Sequence, residues 1–238
     1  VTRPSVGLIA CCLLAAVLAS AARAQVCDGF PSLRDRHFRL AASTASYSYA
    51  TALAGSITAG STLFGTLAAG RTHDHDLDAT TFDVGVEAGA DLPMPAGFLF
   101  LCPAATATLS LGPYDFLLTG TTYRYVDRAL RLGLAVLAFR SPRVQLAVTG
   151  SVSAARVSVI YWPSAEQRAT GSEGWSASTN YWLWSAGVGL VVNDRFTVRP
   201  SLTVPVGFPA AGTPTDWAVP FGREDSELSF GISFGISF

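Results

Sequence analysis

Three carboxylates recur at a spacing of four, Asp83, Glu87 and Asp91, and on an extended chain that spacing keeps them on one face. Like charges confined together need cations, because a buried carboxylate without compensation is costly. Arg131, Arg199, Glu227 and Arg39 fall on the same face of their own segments. Such a set can form a salt-bridged polar filling, a charged constriction that selects cationic solutes, or a catalytic carboxylate pair; the first needs the least special geometry. A second group, His73-Asp74-His75-Asp76 followed by Asp78, offers imidazole and carboxylate ligands for a divalent metal. It is expected in a solvated loop that does not preorganise a site, so His73 and His75 are only weak metal candidates. The chain has no G-x-S-x-G, no H-E-x-x-H and no Gly-rich phosphate loop with Lys. No enzyme and no cofactor are expected.

The elements that must hold these residues read as strands. Phe82, Val84, Val86, Ala88 and Ala90 alternate with Asp83, Gly85, Glu87, Gly89 and Asp91. Leu130, Leu132, Leu134 and Val136 alternate with Arg131, Gly133 and Ala135; Phe196, Val198, Leu202, Val204 and Val206 oppose Thr197, Arg199, Ser201 and Thr203. A period of two puts the large apolar side chains on one side of a sheet and the small or charged ones on the other. Ten such segments are predicted, near 38–49, 54–61, 62–71, 81–92, 98–111, 127–139, 143–160, 181–192, 195–208 and 226–238. Eight is the alternative if the amino-terminal pair is one irregular segment. Short connections at Leu92–Gly97, Arg140–Arg143 and Asn193-Asp194 alternate with long ones at 72–80, 112–126, 161–180 and 209–225.

The final stretch, E-L-S-F-G-I-S-F-G-I-S-F from Glu227 to Phe238, alternates without a break. It resembles the terminal strand of bacterial outer-membrane β-barrel proteins, which usually end on Phe with apolar residues at alternate upstream positions. The resemblance implies an all-β, transmembrane, up-and-down antiparallel barrel over residues 38–238. It also implies that Phe230, Phe234, Ile236 and Phe238 form the signal read by the barrel-insertion machinery of a Gram-negative-type outer membrane. Sorting of loop lengths by parity fits such a barrel, with its short periplasmic turns and longer outer loops. A soluble periplasmic sandwich is the rival, and would require the apolar rows to be core. Omptin-type proteases are also ten-stranded and use an Asp–His pair at the outer rim. His73 and His75 are the rim imidazoles available here, and no further omptin motif matches.

Composition agrees with that reading. Half the residues are hydrophobic and only 14% charged, yet no segment past the leader approaches the ~20 apolar residues of a membrane helix. All sixteen basic residues are Arg. Residues 1–24 fit a secretory signal, with Arg3, an apolar run over 7–22 and Ala22-Arg23-Ala24 before Gln25. An uncleaved anchor is the alternative, and a lipoprotein box at Leu8–Cys11 has too little apolar sequence before it. Without the leader, fourteen basic residues would face seventeen acidic ones, which excludes the basic footprint of a nucleic-acid binder. Residues 25–37 are too polar for a membrane strand and are expected on the periplasmic side.

Cys27 and Cys102 would then be the remaining cysteines. In an exported chain they suggest a disulfide, with two reduced thiols as the alternative. Parity puts Cys102 on the lumen side near the periplasmic mouth, so a bond would pin the amino-terminal segment there. Tyr123, Tyr125, Tyr161, Trp162, Tyr181, Trp182 and Trp184 sit beside the predicted outer loops and are expected to form an aromatic girdle. Trp162, Trp175, Glu166, Glu173 and Arg168, with Trp217 and Phe221 further on, make the outer loops candidates for surface binding. The expected role is a structural or narrow-channel barrel for small solutes, monomeric and embedded in outer-membrane lipid. Loop-mediated adhesion is the second reading and a barrel enzyme a distant third.

Overall fold

Alternation along the chain becomes alternation across a wall. The computed structural model describes residues 26–27, 38–47, 50–60, 62–75, 78–113, 122–141, 143–171, 173–206 and 228–238. Eleven strands run in order: β1 (Phe38–Ser46), β2 (Ala50–Gly60), β3 (Leu63–Asp74), β4 (Ala79–Ala90), β5 (Leu92–Pro93), β6 (Leu99–Pro113), β7 (Thr122–Arg140), β8 (Val144–Trp162), β9 (Trp175–Val192), β10 (Phe196–Val206) and β11 (Ser229–Ser237). β5 continues β4 for two residues along the edge of β6, so the wall has ten staves. Each pairs antiparallel with its neighbour, β1 with β11 and β4 with β6 closing the ring. Closure leaves no sheet edge, the condition for putting a β-sheet into lipid. Carried around the ring, the register offsets accumulate to a shear of about 12 residues, a strand tilt of about 40°.

The faces sort as the sequence predicts. Leu130, Leu132 and Leu134 on β7, Phe82, Val84 and Val86 on β4, Phe196, Leu202 and Val206 on β10, and Phe230 and Phe234 on β11 are all exposed on the outer surface. Asp83, Glu87, Arg131 and Arg199 take the opposite parity and face the lumen. An exterior of large apolar side chains around a polar interior is the inverse of a soluble core, and it is the arrangement lipid requires. The apolar belt has an aromatic rim at each end. Phe38, Phe98, Phe139, Phe196 and Phe238 mark the end where the tight turns lie, and Trp182 and Trp184 mark the other.

The tight turns have local causes. Gly60 holds φ +125° between β2 and β3, where a Cβ would lie 2.2 Å from the Leu63 carbonyl oxygen. Asn193 and Asp194 hold φ 53° and 51° in the connection between β9 and β10, a left-handed pair of the kind tight hairpin turns take from Asn and Asp, and the Arg195 N–H closes the turn on the Val192 carbonyl at 3.2 Å. At the opposite end the connections are shorter than predicted. β3 runs to Asp74 and β4 starts at Ala79, so His73 lies in a strand and not in a loop. Likewise β8 and β9 extend to Trp162 and Trp175, which reduces the predicted 161–180 loop to 163–174. Within it a single helical turn, α1 (Ala165–Ala169), starts at a capping box in which Ser164 and Gln167 bond each other's backbone. The leader, most of 25–37, Glu227, Trp217 and Phe221 lie outside the described residues.

Candidate functional site

Inward-facing charge gathers in three levels. Towards the outer end, the Thr72 hydroxyl donates to Asp83 at 2.7 Å and the Tyr181 hydroxyl donates to Asp127 at 2.6 Å. The Tyr47 phenol, in the β1–β2 turn, is pushed above its ordinary range by burial and then by the nearby Asp83 carboxylate. Tyr125 and Tyr181 are buried on the lumen side, at 4% and 7% exposure. The expected girdle is therefore corrected: Tyr125 of β7 and Tyr181 of β9 turn inward, and Trp182 and Trp184 carry the rim, with Trp162 further out on the same outer face. Trp175 stacks on Tyr161 with ring centroids 5.4 Å apart.

At mid-height lies a cavity of about 290 Å³. Arg39 from β1, Arg131 from β7 and Arg199 from β10 line it, together with Glu87 from β4 and small polar residues such as Ser43, Ser56 and Ser233. Arg131 forms an ion pair with Glu87, and Arg39 donates to Thr58 at 3.1 Å. Among the described residues, the lining of this level carries three guanidiniums and one carboxylate. Asp83, Glu87 and Asp91 do share one strand face, but they sit at separate levels, each with its own partner.

Asp91 belongs to the lowest level. It is fully buried where β4 breaks into β5, and its carboxylate accepts from the Cys27 backbone N–H at 3.3 and 3.4 Å. Cys27 and Cys102 are disulfide-bonded, with Cα atoms 5.3 Å apart. Val26, Cys27, Phe100, Cys102, Ala135 and Ala147 pack as a buried cluster with Leu137 against it. Between the disulfide of this cluster and the side chains of Arg131 and Arg199 lies a small cavity of about 10 Å³. Cysteine counting anticipated the pair, but nothing local announced Asp91 as the acceptor for the tethered backbone.

His73 and His75 lie side by side at the outer rim, ring centroids 5.1 Å apart. His73 Nδ1 bonds the Thr80 hydroxyl at 3.1 Å, with Asp78 3.9 Å from Nε2. His75 Nε2 bonds the Thr51 hydroxyl at 2.9 Å. Among the described residues no cluster of three or more His, Cys, Asp or Glu has the arrangement of a metal site.

Closed ring, apolar exterior and polar, charge-bearing interior together define an integral membrane β-barrel of ten strands. No protein-family model and no curated protein matches the chain. Solved structures that resemble it are barrels of the same kind. The translocator domain of autotransporter NalP from Neisseria meningitidis aligns at TM-score 0.47 and 13% identity, covering 98% of this chain and 96% of that one. The outer membrane protease OmpT from Escherichia coli aligns at TM-score 0.43 and 10% identity, covering 85% and 95%. The amino-terminal β-barrel domain of Pseudomonas aeruginosa OprF aligns at TM-score 0.37 and 13% identity, covering 85% and 98%. Likeness at this level says nothing of activity.

Proposed function

We propose that this barrel is a narrow passage for small anions, held shut at its periplasmic mouth by the amino-terminal segment tethered at Cys27. The observation that carries the reading is the mid-height cavity, whose described lining brings Arg39, Arg131 and Arg199 together with Glu87. In a narrow lumen with low-dielectric walls, a ring of one charge sign selects the opposite ion. Closure rests on the buried cluster around Val26 and Cys27. Residues 1–24 would be the export signal and 25–37 the tethered segment. Phe230, Phe234, Ile236 and Phe238 would be the insertion signal read by the assembly machinery.

The test is the reversal potential of single channels in a planar bilayer under a salt gradient. A Cys27→Ser/Cys102→Ser double variant, which frees the segment, is expected to conduct with anion preference. Adding Arg199→Gln should move the reversal potential towards the cation side. Cation preference in the released form would contradict the reading.

A second reading, surface binding, draws on the ordered β8–β9 connection. Its capping box and the Tyr161 hydroxyl bond to Gln167 at 3.0 Å fix a short helical turn beyond the rim. Loss of cell-surface adhesion on replacing residues 164–171 by a Gly-Ser turn, with the barrel still folded, would support it.

A further inference from the structure

A groove of about 420 Å³ runs down the outside of the barrel, where β6 to β9 lie side by side. Its floor is made of outward-facing alanines, Ala105, Ala107 and Ala154, and its sides are Leu130 and Trp182. The small side chains on its floor recess the outer surface here to the depth of a methyl group. Register fixes what stands at its top. Leu130, Ala154 and Trp182 are cross-strand neighbours, and one pleat above them come Arg128, Arg156 and Asn180. All three are exposed on the outer face.

Arg128 and Arg156 are direct register partners. Like charges placed opposite one another across a strand pair are destabilising unless something neutralises them. Arg156 donates to the Ser178 hydroxyl at 2.6 Å, which orients the guanidinium but supplies no charge. Among the described residues, every strand carboxylate (Asp74, Asp83, Glu87, Asp127) has inward parity. Among the described residues, the strands therefore offer this pair no carboxylate on its own face of the wall.

The membrane does. A tilted strand crosses the apolar band in about ten residues. Counting about ten upward from Phe139, at the opposite rim of β7, reaches Arg128, just above the level marked by Trp182. Guanidiniums at that height meet lipid headgroups, and acyl chains lie along the recessed floor below. Bidentate guanidinium–phosphate geometry suits the site. Two facing cations are matched best by a phosphomonoester, which carries about −1.5 to −2 charge near neutral pH where a diester carries one.

We infer that Arg128 and Arg156 form, with the alanine-floored groove beneath them, a binding site for a phosphomonoester lipid of the outer leaflet. The site lies on the outside of the wall and does not depend on what the lumen conducts.

Native mass spectrometry of the detergent-extracted chain tests this with phosphatidic acid as the monoester probe and phosphatidylglycerol as the diester. The wild type should retain one phosphatidic acid at least about tenfold more strongly than phosphatidylglycerol. Arg128→Gln/Arg156→Gln should abolish the preference, whereas Arg140→Gln, at the opposite rim, should leave it intact. Ala107→Phe, which fills the floor and keeps both cations, should weaken retention. Heat-dependent gel mobility verifies that each variant is folded. Equal retention of the two lipids would overturn the inference. So would full retention by the double arginine variant, or displacement of the lipid by millimolar inorganic phosphate, which would make the ligand a free anion.

Discussion

Two sets of arginines occupy the two faces of one wall, and they live by different rules. Arg39, Arg131 and Arg199 point inward, where water is scarce and charge must be compensated by the protein; Arg131 meets Glu87, and Arg39 meets Thr58. Arg124, Arg128 and Arg156 point outward near or above the aromatic rim. Arg124 lies over the Trp162 ring at 5.5 Å, and the other two face each other. Every described strand carboxylate sits with the inner set. A strand can serve both regimes because successive residues belong to different solvents. The inner set finds its partners within the fold, the outer one in what surrounds it.

The comparison can be broken at several points. Glu87→Gln removes the carboxylate paired with Arg131 and should cost about 3 kcal/mol in urea unfolding from lipid vesicles. The double variant Glu87→Gln/Arg131→Gln should recover part of that loss; simple additivity would show that the pair is not coupled. Moving a cation to the wrong height on the outer face should cost nearly as much. Leu134→Arg, near mid-belt on β7, is expected to destabilise by about 2–4 kcal/mol, while Arg128→Leu at the boundary should change stability by less than about 1 kcal/mol. Tyr181→Phe removes a hydrogen bond to the Asp127 carboxylate and should cost about 1.5 kcal/mol. The smallest effect is Arg124→Ala, about 0.5 kcal/mol for an exposed cation–π contact; a larger loss would mean the outer arginines are held by the fold as well.

Faces were legible in the sequence because a period of two is a local property. Asp83, Glu87, Arg131 and Arg199 needed only parity to be placed in the lumen. Strand ends were not legible for a physical reason. Near their outer ends β7, β8 and β9 pass beyond the lipid, both faces become wet, and the hydrophobic contrast fades while backbone pairing continues. That is why 161–162 and 175–180 read as loop and are strand. The tyrosines misled for a related reason: an aromatic near a rim suits a girdle or a lumen equally, and only register decides. The meeting of Arg39, Arg131 and Arg199 around one cavity depends on shear, a sum over the whole ring that no local pattern carries. Ten strands could be counted, but which residues face one another across the lumen could not.

The central claim, an arginine-lined lumen shut from below by a tethered segment, is tested most directly by current through the wild-type chain in a planar bilayer, before and after a water-soluble reductant is added on the periplasmic side. The account predicts silence while Cys27 and Cys102 are bonded and discrete, anion-preferring steps once they are reduced. Equal current in both states, or cation-preferring steps after reduction, would contradict it.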